Sequence, residues 1–137
     1  MAFNGYLIKL GGSGGTVLPM TYMKAEGYKV TPNQRMESEA KRDVEGYLHR
    51  VTVPHTASKI EFNTPILTNR QVNAMMSLIR NHWISAAERK LLIEYYDPET
   101  DSYKSGYVYM PDIDFPIKRV DGNMIYYGEI RIAFIEY

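Results

Sequence analysis

Hydrophobic and polar positions alternate with a period of two in most patterned stretches of the chain and switch once to a helical period, which predicts a mostly β domain with a single helix. Residues 3–10 open it as a strand, with Phe3, Gly5, Leu7 and Lys9 on one face and Tyr6, Ile8 and Leu10 on the other. Residues 44–53 are rich in β-forming side chains, and Pro54-His55-Thr56-Ala57-Ser58 reads as a turn. Ile60 and Phe62 then alternate with Lys59, Glu61 and Asn63, so these two strands are expected to form a hairpin. A second hairpin is expected where Leu91-Leu92-Ile93-Glu94-Tyr95-Tyr96 runs into Asp97-Pro98-Glu99-Thr100-Asp101-Ser102 and a further strand continues from Tyr103 to Met110. Residues 112–120 lead to Asp121-Gly122, a dipeptide suited to a tight turn. The last run, from Met124 to Tyr137, sets Ile130, Ile132 and Phe134 against Glu129 and Arg131. The expected fold is an antiparallel β-sandwich or barrel, α+β by virtue of its one flanking helix.

That helix is expected over residues 68–83. Thr68-Asn69-Arg70-Gln71 has the spacing of a capping box, and Leu67 and Val72 are placed to form a hydrophobic staple around it. Val72, Met75, Met76, Ile79 and Trp83 follow at helical spacing and form the face expected against a sheet. A methionine stripe can also bind partner peptides, but core packing is the preferred reading.

Two stretches lack either period. Gly11-Gly12-Ser13-Gly14-Gly15 holds no side chain that could pack and reads as a flexible loop. A phosphate-cradling loop would need Lys-Ser or Lys-Thr and a helix next, whereas Thr16-Val17-Leu18-Pro19 follows. Residues 31–43 are polar and mixed in charge, through Asn33, Arg35, Glu37 and Arg42, and read as an exposed loop. The whole of 1–137 is expected to be one domain.

Charge and composition narrow the functional classes. Sixteen basic residues balance sixteen acidic ones, so the positive field of a nucleic-acid or anionic-membrane binder is missing and no sequence-specific nucleic-acid partner is expected. No run reaches the roughly 18 apolar residues of a membrane span, and the first residues carry no signal-peptide pattern, so synthesis in the cytosol is expected. The chain has no cysteine, which excludes thiolate chemistry. His49, His55 and His82 show no metal-ligand spacing. Asp97, Glu99 and Asp101 read as solvated turn carboxylates, Asp112 and Asp114 as the wet face of a strand, and no serine sits in a nucleophile elbow. No catalytic residue, cofactor or metal is expected. The twelve tyrosines favour half-buried sheet surfaces and interfaces.

Three stretches carry a family resemblance: Ala2-Phe3-Asn4-Gly5-Tyr6-Leu7-Ile8-Lys9, Arg42-Asp43-Val44-Glu45-Gly46-Tyr47-Leu48-His49-Arg50, and Tyr126-Tyr127-Gly128-Glu129-Ile130-Arg131-Ile132-Ala133-Phe134-Ile135-Glu136-Tyr137. They resemble small proteins encoded among the tail genes of bacteriophages and prophages of Gram-positive bacteria. The order of elements is similar to the tail-tube-like fold. The resemblance implies a virion structural protein that is made in the bacterial host cytoplasm, is not an enzyme, and assembles with itself, as a hexameric ring, and with other tail proteins. Tube, terminator, adaptor and baseplate positions all stay open. The glycine loop, Gly11, Gly12, Ser13, Gly14 and Gly15, and the polar segment with Asn33, Arg35, Glu37 and Arg42 are the candidate assembly arms. Two alternatives are a glycan- or protein-binding module at the tail tip, with tyrosines or Trp83 stacking on sugar rings, and a small hydrolase, which requires a deep pocket with converging carboxylates or histidine.

Overall fold

The computed structural model describes residues 3–137, with residues 35–42 and 48–56 described by their backbone alone. Its strands are β1 (Ile8–Leu10), β2 (Thr16–Val17), β3 (Lys29–Arg42), β4 (Leu48–Asn63), β5 (Leu67–Thr68), β6 (Lys90–Asp97), β7 (Ser102–Tyr109), β8 (Ile117–Asp121), β9 (Met124–Tyr127) and β10 (Arg131–Glu136). The helix α1 (Asn69–Arg80) follows β5 directly. A seven-stranded sheet runs in the order β2-β1-β6-β7-β10-β4-β3, a three-stranded sheet in the order β5-β9-β8, and every described pairing is antiparallel.

Alternation along the strands sends one face of the large sheet inward. Ile8 and Leu10 of β1, Ile60 and Phe62 of β4, Leu91, Ile93 and Tyr95 of β6, and Ile132 and Phe134 of β10 are all buried. They join one apolar cluster with Leu67 and with Val72, Met75, Met76 and Ile79 of α1. The helix starts where its cap dictates: the Thr68 hydroxyl accepts the Gln71 N–H at 3.4 Å while Gln71 Oε1 accepts the Thr68 N–H at 2.9 Å. Such a cap is worth about 1 kcal/mol. The helix ends at Arg80, so Trp83 lies beyond it, in the following turn. Its ring packs, partly buried, against the same cluster.

Two expectations along β3 and β4 need correction. The expected polar loop at 31–43 is most of strand β3, paired with β4 from Lys29↔Glu61 to Arg42↔Leu48. Residues 54–58 do not turn the chain but continue β4, and the real turn lies at 43–47. Pro32 and Pro54 both fall in gaps of the register: Pro32 between the pairs of Thr31 and Gln34, and Pro54 between those of Thr52 and Thr56. A missing N–H there breaks no described ladder pair.

The glycine run forms a turn in which Gly12 is buried and Gly11, Ser13, Gly14 and Gly15 are exposed. Gly11 and Gly12 take φ of +87° and +83°, which glycine adopts without steric cost. The Gly11 N–H donates to the Leu92 carbonyl at 2.7 Å, and the Gly15 N–H donates to that of Gly12 at 3.0 Å. Gly12 is buried beneath Leu92, and a Cβ on Gly15 would lie 1.8 Å from the Leu10 carbonyl oxygen. Gly15 therefore serves close approach of backbone to backbone, and Gly12 close approach to a side chain. The opening strand is shortened to Ile8–Leu10, with Gly5 at φ +90° just ahead of it.

Candidate assembly interface

Strands β3 and β4 are longer than anything they pack against. Among the described pairings, β10 covers only residues 59–63 of β4, from Ile135↔Lys59 to Arg131↔Asn63. Above that level β4 pairs with β3 alone, so residues 34–57 leave the sheet as a two-stranded ribbon closed at its tip by residues 43–47. At the usual rise per residue, the 48–57 strand of this ribbon extends about 33 Å. The register shifts after Thr31, Arg35 and Glu37, with Asn33 at φ +49° in the first gap, are bulges of the kind that bend and twist a ribbon.

The base of the ribbon is anchored by polar groups. Ser58 is buried; its hydroxyl accepts the Asn33 N–H at 3.0 Å, and its own N–H donates to Glu136 Oε1 at 3.2 Å. Beside it, Glu61 joins three strands: Lys29 of β3 approaches at 3.0 Å, Lys59 of β4 at 3.7 Å, and Arg131 of β10 donates from its guanidinium. Burial pushes the Glu61 carboxyl up, but the hydrogen bonds from Lys29 and Arg131, with the charges of Arg131 and Lys59, hold it below its ordinary value. A carboxyl so lowered stabilises the fold above its unfolded-state pKa and loses that contribution as pH falls through the folded value. Glu61→Gln is thus expected to lower the melting temperature at pH 7, with a deficit that shrinks progressively below about pH 4.5. Thermal melts of both proteins across pH 7 to 3 check this, and a deficit independent of pH would contradict it.

The tip is held by its own backbone. Asp43 Oδ1 accepts the N–H groups of Glu45 at 2.9 Å and Tyr47 at 3.0 Å, and Gly46 takes φ +90°. This Asx-type turn displays Val44 and Tyr47 outward. Asn33 is exposed at the first bulge, while Arg35, Glu37 and Arg42 sit in β3 opposite Thr56, Thr52 and Leu48, with side chains outside the described set. The structure thus brings this candidate group onto one open-edged strand. Gly11, Gly12, Ser13, Gly14 and Gly15 border the opposite edge, where β2 is the last strand. Strand β8, the edge of the small sheet, is exposed along its whole length and pairs with β9 across the Asp121-Gly122 turn that the sequence suggests.

The candidate chemistry is occupied by structural roles. Asp97, expected in solvent, is fully buried, pairs with Lys104 at 2.8 Å and accepts the Glu99 N–H at 3.0 Å. Asp101 accepts the Tyr96 hydroxyl at 2.6 Å. Asp112 and Asp114 line an open cleft of about 380 Å³ with Glu129 and Arg131. They lie ahead of β8 and in no strand; Asp112 pairs with Arg89 at 2.9 Å, and Glu129 pairs with Lys24 at 2.5 Å. His82 Nδ1 lies 2.9 Å from the Leu78 carbonyl, while the side chains of His49 and His55 are outside the described set. Among the described residues no group of three or more His, Cys, Asp or Glu is placed to hold a metal ion. Several tyrosines are internal ties. Tyr6 stacks on Tyr103 at 4.5 Å and donates to Glu94, which pushes its phenol up to about 12, and Tyr103 donates to the Tyr6 carbonyl at 2.7 Å.

A fold of this kind is found in tail particles. A chain from the tail of an empty GTA particle with C6 symmetry superposes with a TM-score of 0.55 at 14% identity, covering 99% of this chain and 95% of that one. A chain from the virion of a native gene transfer agent particle gives 0.55 at 13% identity, with 99% and 95% covered. The chain itself belongs to the family of unknown function DUF6711, whose model matches residues 1–137. No curated protein matches it.

Proposed function

We propose that the chain is a non-catalytic structural component of a phage-type tail, assembling as a ring of six copies with its neighbours in the virion. The observation that carries this reading is the β3–β4 ribbon. A two-stranded hairpin is marginal in water on its own, so a ribbon this long with an open edge is a surface waiting for a partner. The edges at β2 and β3 offer heterologous contacts of the kind that close into rings. In this reading Asn33, Arg35, Glu37 and Arg42 lie on one contacting edge, and the tip of the turn from Gly11 to Gly15 adjoins the other. The fold shared with chains of a C6 tail and of a virion supports the sixfold ring. The sequence likeness to phage and prophage proteins supports a phage of Gram-positive bacteria as the source.

Replacing residues 36–55 with a short Gly-containing turn tests this. Wild type is expected to sediment as larger species as concentration rises, and the shortened chain to remain a monomer with an unchanged melting transition. Equal assembly by both chains, or a wild type that stays monomeric at its highest attainable concentration, would overturn the proposal.

A further inference from the structure

The ribbon tip and the small sheet carry complementary chemistry. At the tip, Val44 is fully exposed, Tyr47 is 67% exposed, and Glu45 places a carboxylate between them. The turn is fixed by the Asp43 carboxylate, so these side chains are presented with little ordering left to do on contact. On the outer side of the small sheet, Ile66, Lys118, Arg119 and Tyr126 line a groove of about 180 Å³. Ile66 is 51% exposed. The Arg119 guanidinium lies 4.3 Å from the centre of the Tyr126 ring, which holds a cation over an apolar floor. One surface therefore offers a carboxylate flanked by apolar side chains, and the other offers two cations around an isoleucine and a tyrosine.

We infer that this groove is the seat of the ribbon tip of a second copy, with Val44 and Tyr47 on Ile66 and Tyr126, and Glu45 toward Lys118 and Arg119. The inference rests on the assembly reading and names the partner of its ribbon. A second copy is favoured because Val44 touches nothing that shields it in its own chain. The chain's net charge of zero also lets local complementarity, and not a general field, select the contact.

The absence of cysteine makes the test clean. Glu45→Cys carrying a tag and untagged Arg119→Cys are mixed under mild oxidation, with tagged Glu45→Cys and Thr100→Cys as the control pair. Mixed disulfide dimers of the first pair are expected at least tenfold above the control. As a second arm, Glu45→Arg is expected to weaken assembly in sedimentation, and Arg119→Glu in the mixed partner to restore it. Assembly of the wild type without enrichment of the cross-link and without charge-swap rescue overturns the tip-to-groove contact alone. Loss of both assembly and cross-link overturns it together with the assembly reading.

Discussion

Gly15→Ala is expected to lower stability by about 3 kcal/mol, or about 10 °C in melting temperature, the cost of forcing a methyl group against packed backbone. The new Cβ would sit 1.8 Å from the Leu10 carbonyl oxygen and 2.7 Å from its carbon, and neither atom belongs to a side chain that could rotate away. Leu10 is fixed on both sides, through its pairs with Thr16 and Ile93, so relief requires pulling β1 from β6 or opening the turn. Gly14→Ala is the matched control, because nothing lies within 4 Å of its added Cβ and its φ is not positive. Thermal melts of the pair should separate clearly. Equal, small losses would mean that the glycines form the open loop their composition suggests.

Phe134→Ala is the other large effect, expected to cost about 3–5 kcal/mol, since a buried aromatic ring leaves a cavity its neighbours fill only in part. Phe134 is fully buried on β10, opposite Ile60 of β4, with strands on both sides. Its neighbour Ile135 points to the other face and is partly exposed, so Ile135→Ala is expected to cost much less. A register slip of one residue would exchange the two results. Chemical denaturation of both variants therefore reads the register of β10 directly.

The elements legible in the sequence are those with one face on the core. The alternation of Leu91, Ile93 and Tyr95 about their turn, that of Ile132 and Phe134, and the Thr68 cap each carry a local signal that folding leaves in place. The ribbon was legible only in part, because 44–53 carries β-forming side chains while its partner 31–43 is polar and shows no alternating apolar pattern. Pro32 and Pro54, which fall in gaps of the register, then make paired strand resemble a loop and a turn. The small sheet was hidden for another reason. Its strand β5 is two residues long and meets β9 far along the chain, through Leu67↔Tyr127. The ion group on Glu61 depends likewise on register, which brings Lys29, Lys59 and Arg131 together from three strands. In the glycine turn the same missing side chain permits both mobility and close approach, and the close approach depends on where Leu10 and Leu92 lie.

A cryo-EM map of the tail of a particle whose genome encodes this chain tests the account most directly. The account predicts this fold repeated around the tail axis, with each β3–β4 ribbon lying on a neighbouring copy. A map that accounts for every tail chain without this fold, or that holds it with the ribbon in solvent and no copy against it, would contradict the account.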